Sequence, residues 1–291
     1  MVWRLKTDKI CLITGASRGL GEFLSCRFWD AGFNLCLIAR SEAGLEKVVQ
    51  ALPERKGQRT VCLVGDMINP ESVMELVTKA KAALPRLDVL LNNAAIHGPM
   101  GPLWENDFLM WQQTIQVNLL APVALCRAFV PWMKETGGGA SIINFSGGGA
   151  TGPRANFSAY ATAKAGLVRF SETLAEETRS LGIRVNCIAP GAMKTAMLGE
   201  VLEKGIRAAG EREFAIASKV FAEGGASMER VADLALFLAS DASKKITGKL
   251  ISAVWDDWEH WSEHLDELSS SDVYTLRRIA GRDRGFTWGD K

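Results

Sequence analysis

Tyr160 and Lys164 stand four residues apart. On a helix that spacing puts both on one face, one turn apart. An ammonium there can hold down the pKa of a phenol, which titrates near ~10 when unperturbed. Brought toward neutrality, the phenol could give or take a proton in acid–base catalysis. An isolated Y-x-x-x-K is more often a packed tyrosine beside a solvated lysine, so the rest of the chain must decide.

The elements that would position this pair are legible in order. Ile10 to Ile13 is a short apolar run that suits a buried parallel strand. Thr14-Gly-Ala-Ser-Arg-Gly-Leu-Gly21 follows, then an amphipathic segment to about Gly32. Strand, glycine-rich turn and helix form the context of a dinucleotide fingerprint, here spaced G-x-x-x-G-x-G. Gly15, Ser17, Arg18, Gly19, Leu20 and Gly21 are therefore candidate cofactor contacts, with a pyrophosphate at the helix N-terminus. Asn34 to Ala39 reads as the second strand and ends in Arg40-Ser41. An NAD site would place a carboxylate at that strand end, and none is present. Arg40, with Arg18 opposite, can pair with a 2′-phosphate, which argues for NADP over NAD.

Val61 to Gly65 reads as a third strand, followed by Asp66 and Met67. Asp66 could accept from an adenine amino group or cap the helix starting near Pro70. Leu87 to Leu91 reads as the fourth strand and leads into Asn92-Asn-Ala-Ala95, small residues that permit close backbone approach. Trp111 to about Glu135 reads as one long helix with Asn118 inside it, a polar amide that needs a partner or a task. Ala140 to Phe145 is the fifth strand, ending in Ser146-Gly-Gly-Gly-Ala150. The helix of Tyr160 and Lys164 then runs to about Leu181. Ile183 to Ile188 is the sixth strand, closed by Pro190-Gly191. From there to about Ser227 the periodicity weakens, which reads as a lid or binding element. Glu229 to Ala239 reads as a helix and Lys249 to Val254 as a seventh strand. Strands alternating with helices give a doubly wound α/β fold, a Rossmann-type domain over 1–255 with a mostly parallel seven-stranded sheet. Residues 256–291 form a polar tail, yet it carries Trp258, Trp261 and Trp288 and should pack on its own subunit or a neighbour.

Composition narrows the function. The 291 residues are 47% hydrophobic and 23% charged, with a net charge of +1. That balance gives no nucleic-acid footprint and no polybasic membrane patch. The stretch Met1 to Lys9 has no apolar signal region, and no run approaches the ~18 apolar residues of a membrane span. Six scattered cysteines without a C-x-x-C pair read as reduced, buried thiols of a cytoplasmic protein. His260 and His264 could share a helix face, but with no third ligand beside them no metal site is expected.

Taken together, the motifs Thr14-Gly-x-x-x-Gly-x-Gly21, Asn92-Asn-Ala-Ala95, Asn118, Tyr160-x-x-x-Lys164 and Pro190-Gly191 resemble the classical short-chain dehydrogenases/reductases from about Lys6 to Val254. The resemblance implies hydride transfer between NAD(P) and a ketone or secondary alcohol. It implies Tyr160 as acid/base and Lys164 as the residue that lowers its pKa and holds the nicotinamide ribose. It gives Asn118 a water in the proton relay, places Asn92 and Ala94 along the cofactor, and sets Pro190, Gly191 and Thr195 at the nicotinamide end. It also implies a homodimer or homotetramer built on the helices of Asn118 and Tyr160.

Three departures stand out. The family's usual serine, thirteen residues before the tyrosine, falls on Gly147. Ser146 could take its role, backbone N–H groups of Gly147 and Gly148 could serve as oxyanion donors, or catalysis could be weak. Of these, Ser146 is the favoured replacement. Ala95 stands where glycine is commoner, which is tolerable unless the backbone there needs φ > 0. The tail is longer than in many members. An NADP-preferring oxidoreductase is the leading reading. An NADP-binding sensor or scaffold is the alternative, and a sugar-nucleotide epimerase fits the glycine spacing least. The resemblance implies a small carbonyl compound or alcohol as substrate.

Overall fold

Side chains along the first strand divide between two cores. Cys11 and Ile13 enter one apolar cluster, while Ile10 and Leu12 enter another. Alternation of that kind means a sheet covered on both faces. The structure is a computed structural model and describes residues 8–136 and 139–288. Met1 to Thr7, where no export signal was read and the resemblance begins, lie outside the described residues, as do the last three residues of the tail.

Seven strands form one sheet: β1 (Ile10–Thr14), β2 (Asn34–Ala39), β3 (Thr60–Val64), β4 (Val89–Asn92), β5 (Ser141–Phe145), β6 (Arg184–Ala189) and β7 (Leu250–Ser252). Their order is β3-β2-β1-β4-β5-β6-β7. Every pairing is parallel, so the sheet is more uniform than the mostly parallel one expected. The order reverses between β1 and β4, which opens a crevice at the carboxyl ends of those strands.

Helices α1 (Gly19–Asp30), α2 (Glu42–Ala51) and α9 (Met228–Ala239) cover one face. Helices α3 (Pro70–Ala83), α5 (Ala121–Glu135) and α6 (Ser158–Thr178) cover the other. Local chemistry sets several starts. Ser41 accepts from Gly44 N–H at the head of α2. Asn69 caps α3 with Pro70 in its first turn, so the cap is not Asp66. Helix α4 (Phe108–Ile115) runs into α5 through a π turn at Gln116–Leu120. Such turns concentrate at functional sites, and this one holds Asn118. The stretch Phe108–Glu135 is long and apolar enough to cross a bilayer, which the sequence reading did not foresee. Val117, Leu125, Phe129 and Met133 nevertheless bury against the sheet, as in the core helix of a globular domain.

The aperiodic segment after Pro190 is two helices, α7 (Ala196–Ala209) and α8 (Glu211–Glu223). Gly205 and Gly210 take positive φ values of 76° and 83°, and the breaks they make scramble the helical repeat. The thiol expectation needs correction: Cys62 is exposed and Cys26 half-buried. Cys62 lies on β3, an edge strand, where Cys62 and Val64 are exposed.

The tail returns to its own chain. Trp258 and Trp261 in the turn Trp258–Glu263, and Leu268 in α10 (Leu265–Ser270), join the core of the α1/α9 face. Leu250 N–H of β7 donates to Tyr274 O at 2.8 Å, and Lys249 Nζ donates to Ser271 O and Val273 O. The tail thus covers the β7 edge, which would otherwise expose unpaired backbone groups. Trp261 also packs on Tyr274 with ring centres 4.5 Å apart. Trp261→Ala should therefore cost about 3–5 kcal/mol of unfolding free energy. Urea denaturation measures this, and an unchanged midpoint would detach the tail from the core.

Candidate active site

The crevice is a cavity of about 770 Å³ that runs from the glycine turn to Lys164. Glycines define its floor. A Cβ on Gly21 would lie 2.0 Å from Gly15 O, and one on Gly15 would lie 2.9 Å from Ala94 Cα. Only bare backbone fits at these places. Arg18 heads α1 without a side-chain cap, so the helix N-terminus presents free N–H groups to the cavity. Thr14 fixes the facing wall: its hydroxyl accepts from Asn93 N–H and Ala94 N–H, both at 3.0 Å.

Gly15, Ser17, Arg18, Gly19, Leu20 and Gly21 all line the cavity. So do Arg40, Asp66, Met67, Ala94, Ser146, Lys164, Pro190 and Thr195. Arg40 is exposed at the end of β2, beside Ser41 and Gly44. Asp66 accepts from Ile68 N–H through Oδ1 at 3.0 Å. Thr195 caps α7 and sits across the cavity from Gly19.

Asn92 is not where the sequence reading put it. It is buried between strands and α5, donates to Asn144 Oδ1 at 2.7 Å, and does not line the cavity. Asn93 lines it instead and donates to Thr14 O at 2.9 Å. At a strand end a shift of one residue exchanges faces. Gly191 also lies off the cavity wall; its φ of 80° and its closeness to Val254 make it a turn residue. Asn118 is fully buried, and its side chain clamps Ile96 from both sides, accepting from Ile96 N–H and donating to Ile96 O. Ala95 keeps negative φ, so alanine fits there without strain.

A buried polar chain sets α6 against the sheet. Asn144 of β5 donates to Ser171 Oγ, and Ser171 donates to Leu167 O, both at 2.7 Å. Above them Lys164 is 2% exposed and donates to Phe145 O at 2.7 Å. Burial pushes its ammonium down to about 8. Ser146 is buried next to Phe145, with a hydroxyl that has no hydrogen-bond partner in the protein. A buried hydroxyl left unpaired costs about 1–3 kcal/mol, so a polar ligand atom in the cavity is its natural partner.

Tyr160 is buried beside this cavity rather than on its wall. A Cβ on Gly147 would fall 2.3 Å from Tyr160 Oη, so the phenol occupies the space that a serine side chain would need. Phe157 of the preceding loop, and Val201, Ala209 and Ala217 of α7 and α8, pack with it. Lys164 Nζ is 5.7 Å from the Tyr160 ring centre. Burial raises the phenol above its ordinary range, and the opposing charge is Arg154, not Lys164. The expected depression by lysine is thus replaced by a net rise.

Sequence reasoning missed two neighbours of Tyr160. The His97 ring is 5.3 Å from the Tyr160 ring, and its buried Nδ1 is unbonded, 3.6 Å from Glu200 Oε2. Arg154 lies over the Phe157 ring and pairs with Glu213. Neither belongs to a motif, and their acidic partners come from α7 and α8, whose packing no local pattern announces. The paired histidines of the tail are occupied locally, His260 by Asp257 and His264 by Glu267.

Residues 9–205 match the family model for short chain dehydrogenase. The chain is 33% identical over 246 residues to the short chain dehydrogenase/reductase AstE of Aspergillus oryzae, covering 84% of this chain and 92% of that one. It is 34% identical over 242 residues to 3beta-hydroxysteroid dehydrogenase 1 of Eggerthella lenta, covering 82% and 90%. A short chain dehydrogenase structure from Shigella flexneri, complexed with NADP, superposes with a TM-score of 0.73 at 28% identity, covering 86% and 99%.

The Lys164 value carries a stability consequence. Between about 8 and the ordinary 10.5, the unfolded chain holds a proton that the folded chain has released. Stability therefore rises with pH across that window, and the cost of the buried charge is fully present below it. Relative to Lys164→Met, the wild-type unfolding free energy should climb from pH ~8 to pH ~10. Parallel curves in urea denaturation would contradict a buried ammonium.

Proposed function

We propose that this chain, which belongs to the short-chain dehydrogenase/reductase family of oxidoreductases, reduces a small ketone with NADPH, using Tyr160 as the proton donor. One observation carries the reading: a single cavity joins two arginines at one end to Lys164 and an unpaired serine hydroxyl at the other. The bare Gly15–Gly21 contact and the uncapped head of α1 fit a pyrophosphate. Arg18 and Arg40, with no carboxylate closing β2, fit a 2′-phosphate and support NADP over NAD. NAD lacks the anion these side chains would meet.

The nicotinamide group, when bound, supplies or accepts the hydride. The chain's residues do the rest. Lys164 would hold the ribose at the end of β5, and Thr195 and Pro190 would bound the nicotinamide end. Ser146 would donate to the carbonyl oxygen, in the role the family usually gives to the position of Gly147. The Tyr160 phenol is protonated near neutral pH, the form that a proton donor in reduction needs. Asn118 would act by holding Ile96, and hence the wall beside Tyr160, in place. Helices α7 and α8 cover Tyr160 with apolar side chains, in keeping with a substrate that is itself largely apolar. Leu103, Trp104, Phe108 and Leu109 stand exposed at and before α4, a surface that the proposed homo-oligomer would cover.

The alternative, a cofactor-binding protein with weak catalysis, draws its support from Gly147. Against it, Lys164 and Ser146 are both buried at the cavity at a solvation cost that simple nucleotide binding does not require.

Arg40→Ala tests the cofactor choice. It should raise Kd for NADPH roughly 10- to 150-fold, since a charge-assisted bond to phosphate is worth roughly 1.5–3 kcal/mol, and leave NADH within about twofold. Equal losses for both would remove Arg40 from the argument.

A further inference from the structure

Gly147 leaves the phenol of Tyr160 without an opposing side chain, and a charged residue stands close by instead. Arg154 lies in the loop between β5 and α6. Its guanidinium carbon is 3.9 Å from the Phe157 ring centre and 5.4 Å from that of Tyr160. Its Nε and Nη2 reach Glu213 Oε2 at 2.9 and 2.7 Å. The two side chains are only 10% and 15% exposed. The run of glycines makes room for this approach: a Cβ on Gly149 would come within 3.2 Å of Arg154 Cβ and 2.6 Å of Ala161 Cβ.

Burying an ion pair contributes little net stability, because each charge gives up its hydration. An apolar pair of the same volume would hold α8 to the loop as well. Its position against the one buried phenol calls for another explanation. Lys164, the residue whose charge was expected there, is committed to Phe145 O.

We propose that Arg154 is a positioning residue for Tyr160, pinned over its ring by Glu213, and that this pair gives the tyrosine its electrostatic environment. The proposal rests on Tyr160 being the acid/base. The guanidinium favours the phenolate, and the Glu213 carboxylate offsets part of that effect. Among the described residues, the other charged or titratable groups facing the phenol are Lys164 on the same helix and His97 from the loop after β4, with Glu200 of α7 behind His97. Of these, Arg154 is the charge that opposes the effect of burial. Because Glu213 belongs to α8, the environment of the phenol is complete only when α8 is packed over the site.

The chain has two tyrosines, Tyr160 and Tyr274, so ¹³Cζ-tyrosine NMR follows each directly, with Tyr274→Phe for assignment. The full-length chain is titrated without substrate as wild type, Arg154→Met, Arg154→Lys and Glu213→Gln. Arg154→Met should raise the Tyr160 midpoint by about one pH unit, Glu213→Gln should lower it, and Arg154→Lys should stay near wild type. Both Arg154→Met and Glu213→Gln break the same ion pair, so loosened packing alone would move them the same way. Shifts of the same sign, or shifts below about 0.3 unit in both, would overturn the proposal. If Arg154→Met fails to fold, Glu213→Gln decides, and the absence of a downward shift rejects it. The readout needs no turnover, so its failure leaves the oxidoreductase reading standing, and a lack of turnover leaves the titration intact.

Discussion

The site depends on one buried ammonium. Lys164 is almost fully enclosed and donates to the carbonyl of Phe145, where β5 ends. That bond ties α6 to the carboxyl end of the sheet, the place where open α/β sheets bind ligands. Tyr160 is one turn earlier on the same helix, so its position follows from the bond. So does the cost: an ammonium kept from water titrates far below its ordinary range. The polar chain through Asn144 and Ser171 below it, and the clamp of Asn118 on Ile96 beside it, keep the backbone around this point from relaxing.

Close backbone approach is the second constraint, and glycine meets it in two different ways. At Gly15 and Gly21 the glycines let β1, α1 and the 93–95 wall come together and leave a floor of bare peptide. At Gly147 the missing side chain lets the phenol itself move in, and at Gly149 it admits Arg154. The missing side chain at 147 therefore decides what stands next to the phenol. A serine hydroxyl lies at the cavity on Ser146, the phenol stands beside Gly147, and a guanidinium stands over the phenol.

Much of this was legible in the chain, and the boundary is physical. The strands show as short apolar runs, the glycine turn has a fixed order of residues, and Tyr160 and Lys164 are one turn apart. All of these are local signals. The face of a strand end is less secure, which is why Asn92 was read into the cavity that Asn93 lines. Helices α7 and α8 were hidden because Gly205 and Gly210 break the repeat that would reveal them. The Arg154–Glu213 pair joins residues 59 apart and so depends on where α8 packs, which no motif encodes. The tail announced itself by its tryptophans, but only the tertiary structure could show Trp258 and Trp261 returning to their own core while Trp255 and Trp288 stay exposed.

The most direct test of the central claim is NADPH oxidation against a panel of ketones, with Tyr160→Phe measured beside the wild type. The account predicts turnover by the wild type. It predicts a loss of at least about 10²-fold in kcat for the variant, whose NADPH affinity should be nearly unchanged. Turnover that survives intact in Tyr160→Phe would contradict the assignment of this tyrosine as the proton donor.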